Sequence, residues 1–205
     1  MLLKDIFTAL IQPYSADAEV VEQYWLEIEK AYSGKKRHYH NLSHLEQLWQ
    51  QLLPLKAGIK DWDTLLFSLF YHDVVYNVRR QDNEEKSADL AQQRLQTLHY
   101  PSGGIDKCVA QILATKSHML SPDSDTNLFT DADLAILGQD WPTYHIYTQQ
   151  VRREYAIYPD LLYKPGRKKV LQHFLNMERI FKTAHFYALY EQNARSNLNR
   201  EIAEF

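Results

Sequence analysis

The sequence has little of what builds disulfide scaffolds or flexible repeats. It contains one cysteine, Cys108, and only six glycines and seven prolines in 205 residues. A single cysteine cannot form an internal disulfide, and the chain lacks the thiolates of a structural zinc site. Cys108 lies in IDKCVAQILAT, where apolar residues recur at helical spacing, so we interpret it as a core residue.

The sequence also lacks a strong excess of charge and a long apolar run. Its formal charge is −3 at pH 7, so no broad basic surface is available for a long nucleic acid. The apolar segment MLLKDIFTALIQPY is interrupted by Lys4 and Asp5 and has no small-residue cleavage site. We therefore expect neither a signal peptide nor a transmembrane span, and we expect a cytoplasmic protein that does not bind membranes.

Apolar residues follow the 3.6-residue period in nearly every segment, and no segment shows sustained two-residue alternation, which predicts an all-α fold. The absence of internal repeats or composition shifts favours a single domain, 1–205. Breaks are expected at SPDSD (121–125) and KPG (164–166), and Ser43 with Glu46 is a candidate capping box. The predicted helices span 2–11, 17–32, 43–53, 62–76, 82–99, 104–117, 131–138, 141–158, 165–182 and 183–203.

Two stretches concentrate histidine and carboxylate side chains. RHYHNLSHLEQLW places three of the nine histidines within seven positions, the last being His44 at the start of a helix. LLFSLFYHDVVYN sets His72 and Asp73 side by side in a helix that reads as buried. A buried carboxylate is costly unless it is paired or binds a cation. Adjacent side chains on a helix diverge by about 100°, but a long imidazole and a short carboxylate can still converge on one ion.

A third stretch, NLFTDADLAILG, carries Asp131 and Asp133 before an apolar run. Either aspartate can have a purely structural role, as a helix cap or as a first-turn residue that interacts favourably with the helix dipole. Together with His44 and the His72-Asp73 pair, however, they offer imidazoles and carboxylates on three separate helices. Such a mixed nitrogen and oxygen set suits a divalent ion such as Mn²⁺, Fe²⁺, Ni²⁺, Co²⁺, Zn²⁺ or Mg²⁺.

The order of His44, His72-Asp73 and Asp133 resembles the H…HD…D signature of the HD-domain superfamily of metal-dependent phosphohydrolases. More closely, the chain is similar to a small bacterial subfamily of predicted HD phosphohydrolases of unknown substrate. The resemblance extends from about residue 37 to residue 200 and is carried by YHNLSH, FYHDVVY, DNEEKSADLA, FTDADLAILG and VRREYAIYP. It implies an HD-type helical bundle with a core at 37–140, helices at 141–205 packed on it, and a metal site between core helices.

The resemblance also implies a ligand set. His44, His72, Asp73 and Asp133 would hold one divalent ion and leave positions for water and substrate. Asp133 is favoured over Asp131 because Ala132-Asp133-Leu134 matches the ADRL- or ADLS-like run of related proteins. Asp131 would then cap a helix or orient a ligand. Asp73 could bridge to a second ion, but the sequence identifies no further ligands for one.

His40 is the candidate general acid. In cyclic-nucleotide phosphodiesterases, distant members of the wider fold group, a similar YHN before a metal-binding histidine supplies the acid for the leaving oxygen. His40 stands in that position here, four residues before His44, and a histidine beside a phosphate titrates in the required range. The alternative is that His40 only forms a hydrogen bond with a carboxylate or caps the helix.

Four further residues are candidates for the surroundings of the site. Arg37 is the preferred phosphate contact because it adjoins the histidine loop, although solvated charge also explains it. His118, which resembles a histidine near the substrate in related enzymes, and Lys116 could contact phosphate, yet a helix end commonly carries such residues for dipole reasons. Glu84, preferred over its neighbour Glu85, could orient a metal-binding histidine or position water, or either glutamate could simply favour the first turn of the helix.

These features predict a metal-dependent phosphohydrolase of a small phosphorylated metabolite, such as a nucleotide or a related mono- or diester. A non-catalytic module that senses a nucleotide or a metal would use the same pocket. A diiron oxygenase would need more ligands, and His118 is the obvious candidate. A homodimer formed through an exposed apolar face is compatible with the composition.

Overall fold

The computed structural model describes residues 2–15 and 17–205. Over those residues the protein is all-helical, with no β-strand, as the periodicity predicted. The α-helices of the described chain are α1 (Leu3–Ile11), α2 (Ala18–Tyr32), α3 (Leu42–Leu52), α4 (Trp62–Tyr71), α5 (Asn83–Thr97), α6 (Ser102–Ala114), α7 (Ser124–Leu134), α8 (Trp141–Glu154), α9 (Asp160–Leu175) and α10 (Ala184–Ala203). Short 3₁₀ helices, Leu53–Gly58 and Ala135–Gly138, follow α3 and α7.

The Cα positions group into two compact units. The first ends at Thr130 and the second runs from Asp131 to Phe205, so the boundary falls inside α7. The single-domain organisation expected from the sequence stays a prediction. Within the described ranges, no helix is both long and apolar enough to cross a bilayer.

Helix α4 is the centre of the first unit, where α1, α3, α5 and α6 pack against it. Every residue from Thr64 to Tyr71 is buried, which explains why this segment is apolar on all sides. Two of its buried hydroxyls are satisfied by other helices or loops: Ser68 Oγ donates to Gln111 Oε1 at 2.7 Å, and Thr64 Oγ1 lies 2.8 Å from the Tyr100 hydroxyl. The helix begins at the cap formed by Asp61, whose carboxylate accepts the Thr64 N–H at 3.1 Å. A rigid, fully packed helix therefore leads directly into the His72-Asp73 pair.

The start of α7 differs from the prediction. SPDSD (121–125) was expected to break the chain and a helix to begin at 131, but α7 begins at Ser124. The reason is that the segment contains a cap: Asp123 Oδ2 accepts both the backbone N–H and the hydroxyl of Thr126, at 2.8 Å and 2.7 Å. The end of this run of turn residues, Ser124 and Asp125, therefore lies in the first turn of a helix.

Two other predicted boundaries are also wrong. Helix α3 is capped by Asn41, whose side chain accepts the Ser43 N–H at 2.9 Å, in place of the expected Ser43–Glu46 capping box. Helix α9 runs through Pro165, where KPG was expected to break it. Proline cannot donate to the carbonyl four residues earlier, but that carbonyl belongs to Leu161, in the first turn and 84% exposed. Water can satisfy it there, so the helix continues.

The second unit is built around α10, which packs against α9 and the 3₁₀ helix Ala135–Gly138. Gly138 allows this approach, because a Cβ there would lie 2.3 Å from the Cβ of Tyr190. Asp131 is fully buried and fixes the start of α10. Its carboxylate accepts the backbone N–H groups of Lys182 and Thr183, at 3.0 Å and 2.8 Å, and pairs with Lys182 Nζ at 2.9 Å.

Cys108 is fully buried on α6, as predicted, and burial raises the pKa of its thiol to about 12 from an ordinary value of 9.0. In the unfolded chain the thiol ionises near pH 9. Between the two pKa values, therefore, the thiol is ionised in the unfolded chain and still protonated in the folded protein. The free energy of unfolding therefore falls as pH rises, by a slope that approaches about 1.4 kcal/mol per pH unit for one group.

We expect Cys108→Ala to remove that part of the alkaline destabilisation. Urea unfolding of both proteins at pH 8, 9, 10 and 11 measures it. The buried tyrosines are common to both proteins and cancel in the difference. If the two stabilities decline in parallel above pH 9, the thiol is not the linked group.

Candidate metal centre

Two histidines from different helices meet inside the first unit. His44 lies in the first turn of α3, and His72 is the residue that caps the C-terminus of α4. Both are buried, with exposures of 2% and 1%, and their Nε2 atoms are 3.2 Å apart. Among the described residues, these two imidazoles have ring nitrogens close enough to share one metal ion. This meeting of two distant histidines was predicted from the sequence.

The backbone determines which nitrogen of His72 faces His44. Nδ1 of His72 lies 2.9 Å from the carbonyl oxygen of Leu69. A carbonyl only accepts hydrogen bonds, so Nδ1 donates to it and Nε2 is the ring nitrogen that faces His44. Metal-binding histidines are commonly oriented by such a bond on the opposite ring nitrogen. Two nitrogens bound at about 2.0–2.1 Å lie about 3.4 Å apart around a tetrahedral ion and about 2.9 Å apart around an octahedral one. The observed separation falls between these values.

Asp73 brings a carboxylate to the same place. Its Oδ2 is 3.3 Å from His72 Nε2, and its side chain is 17% exposed. The prediction placed both residues inside a helix 62–76, whereas α4 ends at Tyr71 and a turn follows, closed by the Val74 N–H on the Tyr71 carbonyl. His72 keeps helical backbone angles, φ −58° and ψ −38°, and the long imidazole and the short carboxylate next to it still converge, as the sequence predicted. The site thus presents two imidazoles and an adjacent carboxylate.

His40 lies beside this pair in an aromatic setting. Its ring centroid is 5.9 Å from that of His44, and its ring lies 4.4 Å from Tyr76 at an interplanar angle of 30°. Tyr39 packs against both histidines at centroid distances of 5.0 Å. His40 therefore lies next to the histidine pair. Because it is only part-buried, it is also accessible from solvent.

Arg37 also lies at the site, but its donors are directed at the backbone. Nη1 donates to the carbonyls of His40 and Asp73 at 3.2 Å and 2.7 Å, and Nη2 donates to Val74 at 2.9 Å. The guanidinium lies over the ring of Tyr32, 4.9 Å from its centroid. The expected phosphate contact stays a prediction, and the observed contacts give Arg37 a structural task that the sequence did not reveal.

The remaining candidates lie around α5, α6 and α7. Lys116 donates to the Gln81 carbonyl at 2.8 Å and to Glu85. That bond raises the pKa of Lys116 and lowers the pKa of Glu85, so the lysine pairs with the glutamate next to the predicted Glu84. Glu84 is half-buried in the first turn of α5. Their substrate and ligand roles stay predictions.

His118 follows α6 and is buried, with a positive φ of 54°. Histidine tolerates this left-handed backbone better than most residues, although the conformation is uncommon. Asp131 has its carboxylate engaged by Lys182 and Thr183, which matches the alternative that it caps a helix. Asp133 is part-buried in the last turn of α7.

Aromatic residues that sequence reasoning missed complete the surroundings. The Tyr32 hydroxyl accepts the Asp73 N–H at 3.1 Å. Phe129 is fully buried on α7, edge-on to His72 with ring centroids 5.7 Å apart. No spacing in the sequence singles these rings out, because helical periodicity assigns them simply to the core.

Comparison with known proteins adds no relative: the chain matches no protein-family model, no curated protein and no solved structure. The resemblance to HD-type phosphohydrolases therefore depends on the quoted motifs alone.

Proposed function

We propose that this protein is a metal-dependent phosphohydrolase that acts on a small phosphorylated metabolite in the cytoplasm, such as a nucleotide or a related phosphate mono- or diester. One observation carries the proposal. The Nε2 atoms of two buried histidines from different helices are 3.2 Å apart, with a carboxylate oxygen 3.3 Å from one of them. Buried imidazole pairs beside a carboxylate are suited to first-row divalent ions.

His44, His72 and Asp73 are the proposed ligands from the first unit, and Asp133 is the proposed fourth. Helix α7 is continuous from Ser124 to Leu134, and Phe129 on it packs against the His72 ring. Asp133 follows Phe129 by four residues and therefore shares its helix face, one turn further on. That register supports Asp133, while the hydrogen bonds of Asp131 favour a capping role for that residue. A divalent ion held by this set would supply Lewis acidity, lowering the pKa of water and polarising a phosphoryl oxygen.

The protein's own side chains would supply the remaining chemistry. His40, part-buried beside the histidine pair, is the proposed donor of a proton from a ring nitrogen to the leaving oxygen. Tyr39 and Phe129 cover the pair with apolar rings and limit the access of bulk water. A low local dielectric strengthens the attraction between the ligands and a cation. The formal charge of −3 favours a small substrate over a long nucleic acid.

The test is a metal-reconstituted assay. Protein stripped with a chelator is loaded with Mn²⁺, Co²⁺, Ni²⁺, Zn²⁺, Fe²⁺ or Mg²⁺, and metal content is measured after desalting. Each form is then assayed on p-nitrophenyl phosphate, bis(p-nitrophenyl) phosphate, nucleoside monophosphates and cyclic nucleotides. We expect about one ion per chain and hydrolysis that depends on it. A protein that retains no metal contradicts the site, and one that holds metal and binds nucleotide without hydrolysing any ester is a sensor.

A further inference from the structure

Arg37 joins two segments of the first unit that carry the proposed chemistry. Its Nη1 donates both to the carbonyl of His40, on the loop before α3, and to the carbonyl of Asp73, in the turn after α4. Its Nη2 adds a bond to Val74 at 2.9 Å. The Arg37 guanidinium thus connects two segments that are at least 33 residues apart in sequence, as His40 and Asp73 are. It fixes the backbone of both segments, at the proposed acid and at a proposed ligand.

Aromatic rings hold the guanidinium in this position. The Arg37 guanidinium carbon lies 4.9 Å from the centroid of Tyr32 and 5.3 Å from that of Tyr76. Each ring also contacts the site, since the Tyr32 hydroxyl accepts the Asp73 N–H at 3.1 Å and Tyr76 packs on His40 at 4.4 Å. Arginine packs on aromatic faces and keeps its donors in a rigid fork, so its side chain is ordered before any ligand arrives.

We propose that Arg37 is a positioning residue that holds Asp73 and His40 in register through their backbones, and that it is not a phosphate-binding residue. The inference rests on the proposed function, because it assigns Arg37 a task within that site. Both terminal nitrogens of its guanidinium donate to backbone carbonyls, whereas a phosphate-binding arginine would direct them at the substrate. Losing residues that orient metal ligands typically lowers metal affinity or activity by about 10–100-fold.

The two roles of Arg37 predict different kinetics. A phosphate contact contributes to substrate binding, so its loss raises KM and leaves metal affinity unchanged. A positioning residue acts on the ligand and on the acid, so its loss weakens metal binding and lowers kcat, with a smaller effect on KM. Lysine keeps the charge but lacks the planar fork that bonds three carbonyls, so it should recover only part of the function.

The experiment compares Arg37→Met and Arg37→Lys with Arg195→Met. Arg195 is a matched control because it also bonds three carbonyls, those of Leu175, Met177 and Glu178, in the second unit. Co²⁺ titrations followed by the visible absorption of the bound ion give metal affinity, and the ester assay gives kcat and KM separately. We expect Arg37→Met to weaken Co²⁺ binding and lower kcat by about 10–100-fold, Arg37→Lys to be intermediate, and Arg195→Met to resemble wild type.

Each other outcome has a defined meaning. An increase in KM with unchanged Co²⁺ affinity and spectrum identifies a phosphate contact and overturns the inference. Wild-type affinity and kcat in Arg37→Met overturn it as well, while leaving the proposed function intact. A wild-type protein that binds neither Co²⁺ nor any of the other five divalent ions overturns the proposed function itself. If circular dichroism shows that Arg37→Met is unfolded, the same criteria are applied to Arg37→Lys.

Discussion

Replacing His72 with alanine is expected to remove tight metal binding and to lower kcat/KM for the best ester substrate by at least about a thousandfold, equivalent to about 4 kcal/mol of transition-state stabilisation. The imidazole is buried, oriented by its bond to Leu69 and 3.2 Å from His44, so no neighbouring side chain can take its place without rearrangement. Metal analysis of the purified variant and initial rates with the reconstituted protein measure the two effects.

His185→Ala is the control for that variant, because it removes an exposed histidine on α10. It should retain wild-type metal content and activity. Circular dichroism and urea unfolding separate loss of the ion from loss of the fold, since truncating a buried ring also costs stability. Equal hydrolysis by His72→Ala and wild type would mean that the activity arises elsewhere, from another site or a contaminating enzyme.

The helical fold was predictable because the apolar pattern is local information. A buried helix such as α4 needs apolar residues on every side, and an amphipathic one needs a stripe, so either can be read from consecutive residues. Errors arose where a residue that usually marks a turn serves a helix, as Asp123 does by capping α7 and Pro165 does within α9. Local composition does not reveal whether such a residue precedes a helix or interrupts one.

The candidate site was predictable only in part. The meeting of His44 and His72 was implied by the family resemblance, and the cost of burying an unpaired carboxylate pointed to a cation near Asp73. The backbone of Asp73 is held by distant residues, since its N–H donates to Tyr32 and its carbonyl accepts from Arg37. Arg37 was expected to bind phosphate because its charge is visible in sequence, whereas the carbonyls it bonds become neighbours only on folding. Backbone acceptors leave no signature in a sequence.

The second unit contains a buried ion pair, Arg167–Glu201, whose side chains are 7% and 6% exposed. Arg167 Nε and Nη2 donate to Glu201 at 2.7 Å and 3.0 Å, and Nη1 donates to the Tyr147 hydroxyl at 3.2 Å. Tyr144 donates to the same carboxylate. Burial alone would lower the pKa of Arg167, but Tyr147 and Glu201 raise it well above its usual range. The guanidinium is therefore charged and fully committed to this network.

Arg167→Met is expected to lower the free energy of unfolding by about 3–5 kcal/mol, because it leaves the carboxylate of Glu201 buried without a counter-charge. Adding Glu201→Gln should restore most of the loss, since a neutral amide still accepts from Tyr144 and a buried pair replaced as a whole costs little. Urea unfolding at pH 7 measures both, with exposed Arg153→Met as the control within about 0.5 kcal/mol of wild type. If the double variant is as unstable as the single one, the penalty comes from lost packing around the arginine stem and the uncompensated charge is not its cause.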